Sequence, residues 1–521
     1  MKKKIIGAII VVLGCALLFV FGSVLIMFLA PGTEIFGIRY VASGTSKCEN
    51  PNKTIEAFSG DIYIDTKNVP ITINFTDGYA YAVDFCQNFI GFTKTKEKVA
   101  DLSIEKKNDG KDLYITAKEI EEFIYSQKAD QFFRFDLYLP QTFFSSGTRS
   151  INIKSKSSSV KILGRANLNN FTMDSTGGLT IPEESKLTVA DQIKIKSSKL
   201  IDLGTNVTCH TCNLESTGNS INVANPIPGD IVAKTKGGDL KFTSCKNLTF
   251  TSKSGSVKAY GNVENVVTEK VNIKTNGGSV SLGKVNTNIS VSSTLFEDMT
   301  NIKTEGGAIS INQMIGGVLT STRGKITVSN ASNLLINSKT GNVIVKNITD
   351  KITVKGKNGK VALGEGGTIA NADVSTTTGA IFAYNVTGNV TLYSKSNDVT
   401  FENLSSENIN LHSGKKLVAK NLMGKVEAYS RADGKYTFTK VSGDVNITSG
   451  TRADHITIEL PNSKAGTFDY SLKSTKGTKA KVYVGETLTA ELSNIESTIT
   501  EGHFLIKVET PYGEIVLKMA E

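Results

Sequence analysis

Cys209-His210-Thr211-Cys212 is the one stretch of the chain whose residue types and spacing point to chemistry. Two thiols separated by two residues can form a redox-labile bridge, supply half of a zinc site, or fill a core as small apolar side chains. Cys245 is the nearest further thiol, and a second CxxC or a histidine at ligand spacing is missing. Three readings therefore stand: structural cysteines, buried or disulfide-bonded; a labile bridge between Cys209 and either Cys212 or Cys245; and a metal site. Cys48 and Cys86 form a further candidate disulfide, and Cys15 lies within an apolar run. The four histidines, His210, His412, His455 and His503, are scattered, and none stands beside a Gly-x-Ser-x-Gly elbow. The Gly277-Gly278 and Gly306-Gly307 pairs lack both the continuation of a calcium-binding nonapeptide and the Lys-Ser or Lys-Thr of a phosphate loop. The sequence predicts neither an enzyme nor a bound cofactor.

These residues ride on a short repeat, clearest in Leu334 to Val345, LLINSKTGNVIV. Two alternating apolar residues, four mostly polar residues, a glycine and two more alternating apolar residues make two half-buried strands joined by a turn. With glycine as position zero, the pattern recurs at Gly238, Gly255, Gly278, Gly307, Gly324, Gly341, Gly359 and Gly379. Asn397 takes the glycine's place once, and the pattern returns at Gly513. Apolar residues hold plus two and plus four, as in Val343 and Val345, and minus five, as in Ile302, Ile336 and Val374. A turn glycine replaced only by asparagine predicts positive φ at that position. The spacings from Gly238 to Asn397 are 17, 23, 29, 17, 17, 18, 20 and 18 residues. Such a period suits stacked β-coils rising by roughly 4.8 Å each, with the two long steps as inserted loops. Copies between Phe171 and Leu203 fit only with slips of a residue, and beyond Asn397 the turns shorten near Lys415 and lengthen near Gly434.

The expected fold is therefore all-β: an elongated β-solenoid of short strand-turn-strand repeats, of either hand, preceded by one N-terminal transmembrane helix. The predicted boundaries are a cytoplasmic tail and anchor over 1–32, a linker over 33–53, an N-terminal β segment capping the solenoid over 54–145, repeats over 146–460, and C-terminal β repeats over 461–521. Lys118 to Gln131 reads as the one short helix outside the anchor, and the final coil is expected to form the solenoid's open end. Ile5 to Ala30 carries no charged side chain and follows Lys2, Lys3 and Lys4. It exceeds the roughly 20 residues needed to cross a bilayer, and the preceding lysines predict a cytoplasmic N-terminus with the remainder outside. A cleaved signal sequence is the alternative. The net charge of +10 comes from lysines spread over turns and outward strand positions, such as Lys339, Lys346 and Lys357. That pattern fits a solvated face and, more sharply, attraction to an anionic surface. Asn-x-Ser/Thr triplets, among them Asn206 and Asn385, matter only where secreted proteins are glycosylated.

The alternating segment Thr54 to Phe75, the strands ending in leucine and proline at Phe135 to Pro140 and Ile456 to Pro461, and the repeats that follow resemble the bacterial adhesin-like β-strand-repeat family, a domain of unknown function. The resemblance covers roughly Thr54 to Glu521. It implies a membrane-associated or surface-exposed solenoid with a proposed role in adhesion, and it carries no catalytic residues to transfer. The expected function is a membrane-anchored, surface-exposed binding or structural module of the cell envelope. Its expected partners are the membrane through residues 5–30, anionic wall polymers or another surface protein, and no nucleic acid. An envelope scaffold or sensor working with a membrane partner is the second reading, and a carbohydrate-active enzyme the third.

Overall fold

Ile309, Ile326, Val343, Val361, Ile381, Val399 and Leu417 are successive Cα partners in one parallel column. Each is at most 1% exposed. A second column runs through Ile302, Leu319, Ile336, Val354, Val374, Leu392 and Leu411. These are the plus-two and minus-five positions of the repeat, so the alternation read from the sequence becomes the inner face of a coil. Burying each aliphatic side chain is worth on the order of 2 kcal/mol. The computed structural model is mostly strand, a β-solenoid of about 15 turns preceded by one apolar helix. It describes residues 2–30, 33–35, 38–41, 47–67, 69–78, 81–87, 91–93, 100–119, 123–126, 133–144, 147–286, 300–450, 455–464, 466–476 and 478–521. The chain divides into two compact units, Met1–Thr235 and Lys236–Glu521.

In the first unit the helix Lys2–Leu29 contains a stretch, Ile9–Met27, that is long and apolar enough to cross a membrane; a signal sequence would satisfy the same criterion. The strand Ile62–Thr66 lies parallel between Ile151–Ser155 and Asp112–Glu119, and Ala100–Lys107 then closes the stack antiparallel. The helix expected over Lys118 to Gln131 does not form where the chain is described. Lys118 and Glu119 finish one strand, and Phe123–Ser126 is another, paired antiparallel with Gly91–Thr93. Sheet pairing of Phe123, Ile124 and Tyr125 overrides the helix propensity of the surrounding charged residues. Residues 120–122 and 127–131 lie outside the described residues. The slips between Phe171 and Leu203 are bulges, with register shifts between Leu168 and Asn170 and between Val189 and Gln192.

In the second unit the longer step after Gly255 is a turn around Gly261, whereas the insertion of 287–299 lies outside the described residues. The end of the stack differs from the expectation. Leu505–Thr510 lies between Gly434–Ser449 and Asp469–Ser474, and Ile515–Ala520 lies between Ile456–Lys464 and Ala480–Val484. The last coil in sequence is thus an inner one. The outermost strands are Thr487–Leu492 and Asn494–Glu496, both antiparallel to their neighbours. Reversing direction there stops the parallel coil pattern from continuing, and Glu491 and Glu496 put charge on the edge.

The glycine ladder requires a second correction. None of the turn glycines has a positive φ. Instead, a Cβ on Gly278, Gly307, Gly324, Gly341 or Gly359 would collide with the carbonyl oxygen of the equivalent glycine one coil earlier. Positive φ occurs at another corner, where Asn385, Asn403 and Asn421 have φ of 49°, 62° and 57°. Their amides form a ladder, Asn403 donating to Asn385 at 2.9 Å and Asn421 to Asn403 at 2.8 Å. Three residues before most of the turn glycines lies a buried hydroxyl, Ser252, Thr275, Thr304, Ser321, Ser338 and Thr376 among them; Gly359 has Gly356 there instead. Ser321, Ser338 and Thr376 donate to the carbonyls of Gly324, Gly341 and Gly379 at 2.8, 2.6 and 2.6 Å. The amides of Gly255, Gly278 and Gly307 donate to Ser252, Thr275 and Thr304 at 2.8, 3.1 and 3.0 Å. Thr275 and Thr304 also donate one coil back, to Gly255 and Gly278.

Neighbouring glycines in one turn separate the steric role from general turn flexibility. Gly307→Ala is expected to lower stability by about 2 kcal/mol through overpacking. Gly306→Ala, whose Cβ would meet Asn276 O at an ordinary 3.5 Å, should change it by no more than about 0.5 kcal/mol. Chemical denaturation of the two variants measures the difference, and equal losses would refute the carbonyl collision.

Candidate functional site

Tyr393, His412 and Tyr429 are outward residues of the strands Val390–Ser394, Val399–Ser413 and Leu417–Ser430. Parallel register makes them direct neighbours on three successive coils. Their rings stack at centroid distances of 4.5 and 4.6 Å with interplanar angles of 23° and 18°. The outer ring, Tyr393, keeps 40% of its surface exposed. The result is a continuous aromatic strip facing solvent. Such stacking supports the coils, and because the ring faces cover one another it turns their edges outward, as a ridge against which the C–H face of a sugar ring can lie.

One step along each strand, Ser394, Ser413 and Ser430 point inward and are 0% exposed. They hold the adjoining turns. Ser394 donates to Gly379 O at 3.0 Å, Ser413 to Lys416 O at 2.7 Å, and Ser430 to Ala432 O at 2.7 Å. The Gly414 turn is packed so closely that a Cβ would collide with Lys395 O. These turns enclose a hollow of about 200 Å³ lined by Ser396, Gly414, Lys415, Arg431 and Ala432. Lys416 is paired with Asp433 at 3.5 Å. Among the described residues, no ion pair engages Lys415 or Arg431. The aromatic strip therefore adjoins two cations available to an anion, one of them a guanidinium suited to carboxylate or phosphate. In the first unit a hollow of about 430 Å³ carries the register partners Arg165 and Lys186 but no ring.

The residues singled out in the sequence are distributed differently. Cys209 and Cys212 lie on Val207–Ser216, buried, with their sulfurs 2.9 Å apart. Cys245 is buried on Ser244–Ser252 in the second unit, and Cys15 is in the N-terminal helix. Backbone register sets Cys48 directly opposite Cys86 across an antiparallel pair. Among the described residues, no group of three His, Cys, Asp or Glu side chains is assembled to hold a metal. His210 is exposed; His455 and His503 approach Glu514 and Asp469 at 3.4 and 3.5 Å. Two glycosylation triplets are engaged: the Asn206 amide donates to Pro182 O at 2.7 Å and that of Asn385 to Gly367 O at 2.9 Å. The aromatic strip escaped the sequence reading because its members are 17 to 19 residues apart. The shared context, an aromatic ring followed by serine (Tyr393-Ser394, His412-Ser413, Tyr429-Ser430), is the signal that could have found it.

No family model, curated protein or solved structure matches the chain.

Burial pushes the His412 imidazole below its ordinary value of about 6.5, so the native strip favours the neutral ring. As pH falls, the unfolded chain takes up this proton first. The contribution is therefore fully present above about 6.5 and is lost as pH drops through the native pKa. Thermal midpoints measured between about pH 7.5 and about pH 5 should fall more for the native chain than for His412→Phe, which keeps a stacked ring but cannot titrate. Parallel curves would show that His412 does not titrate in this way.

Proposed function

We propose that this protein is a membrane-anchored β-solenoid of the cell envelope that binds an extended anionic polymer along the face bearing Tyr393, His412 and Tyr429. The observation that carries this reading is the aromatic strip beside Lys415 and Arg431. Sugar rings lie with their C–H faces along the ring edges of the strip, and acidic substituents pair with the two cations. A net charge of +10 favours the approach of a polyanion, and weak contacts on successive coils add through multivalency. The apolar helix serves as the anchor, with the solenoid outside the cell. The likeness to adhesin-like strand repeats agrees with a binding module whose ligand is a wall polymer or a neighbouring surface. A second reading, an envelope scaffold for a protein partner, draws on the C-terminal cap, where Leu492 and Ile499 are 60% and 79% exposed.

Two measurements test the principal reading. Protease added to intact cells should remove a C-terminal epitope, whereas protection until lysis would sink the surface location. The detergent-solubilised full chain should bind polygalacturonate, bind neutral dextran weakly, and release the acidic polymer as salt rises. Tyr393→Ala should weaken binding by roughly five- to tenfold, and Lys415→Glu with Arg431→Glu should erase the preference for the acidic polymer. Unchanged affinity in these variants would remove this face as the binding site.

A further inference from the structure

In a regular strand, side chains three positions apart point to opposite faces. Cys209 and Cys212 do not. Cys209 pairs with Val189 and Cys212 with Ile193, so the preceding coil uses three residues between these partners where this coil uses His210 and Thr211 alone. The irregularity falls at a corner and turns both cysteines inward, where Cys209 is 6% and Cys212 1% exposed. Above them, Cys212 is the register partner of Ile231. The two sulfurs end 2.9 Å apart, inside ordinary sulfur contact and within about 1 Å of a disulfide bond length. His210, between them, is exposed, so the segment joining the two cysteines runs at the surface.

We propose that Cys209 and Cys212 are a dithiol modification site that exchanges with low-molecular-weight disulfides to form an intrachain bond. The Cys209 thiol, the more exposed of the two, loses its proton and its sulfur attacks one sulfur of the small disulfide. A mixed disulfide forms and one small thiolate leaves. The Cys212 thiol then gives up its proton, and its sulfur attacks Cys209 Sγ and displaces the second small thiolate. One S–S bond is broken and one made. Two electrons pass from the protein to the small disulfide, and the two protons end on the two small thiols released. Because the sulfurs already adjoin, closure needs little movement of the buried columns. Closing so short a loop restricts the unfolded chain far less than a long-range bridge would, so the bond acts as a reversible mark more than as a staple.

The experiment treats the purified full chain with oxidised glutathione, quenches it with iodoacetamide under denaturing conditions, and maps the peptides by mass. The peptide holding both cysteines should lose the mass of two hydrogen atoms and resist alkylation until dithiothreitol is added. Cys212→Ser should instead trap glutathione on Cys209, and Cys209→Ser should show little reaction because its remaining sulfur is the more buried one. Full alkylation of both thiols in the oxidised native chain would overturn the proposal. So would a mapped bridge from either cysteine to Cys245.

Discussion

The close approach of one coil's turn to the next governs the rest of this structure. At the glycine ladder, the backbone of each coil lies against the carbonyl oxygen of the coil before it, with no room for a side chain. At most of these turns a buried serine or threonine three residues earlier satisfies polar groups that this contact takes from water. Without the hydroxyls, buried carbonyls and amides would remain unpaired, at about 1–3 kcal/mol each. Without the glycines, the coils would separate at the turn and the apolar columns would lose register. Hydrophobic burial supplies the driving force, but this polar, side-chain-free corner sets the spacing at which burial occurs.

That spacing also makes an outward surface of defined chemistry. Once coils repeat at a fixed rise, any outward position becomes a column of like-placed side chains, and its content depends on local sequence alone. Asparagine at the left-handed corner gives the Asn385–Asn403–Asn421 ladder. Aromatic rings on the next flat face give the Tyr393–His412–Tyr429 strip. The buried serines below the strip belong to the same hydroxyl system as the glycine ladder. The geometry that holds the fold together therefore also positions Lys415 and Arg431.

A repeating parallel stack would extend indefinitely unless its ends differ from its middle. Antiparallel strands provide that difference within each unit: Ala100–Lys107 in the first, and Thr487–Leu492 with Asn494–Glu496 in the second. In the second unit the final, regular copy is drawn inside the stack, and the less regular segment before it becomes the cover. Regular sequence packs well on both sides, whereas an outermost strand needs only one partner.

The period, the inward columns and the apolar N-terminal helix were legible in the sequence, because strand alternation and helix hydropathy are local properties. The glycines were legible as positions but not in their cause, since the collision they avoid lies with a carbonyl 17 to 29 residues away. The short helix failed for a similar reason: pairing of Phe123–Ser126 with Gly91–Thr93 outweighed local propensity. The aromatic strip, the meeting of Cys209 and Cys212 and the order of the terminal coils were decided by tertiary structure. Each depends on coil length and on bulges that shift register by a residue, and neighbours across coils are defined only once every intervening turn has adopted its length.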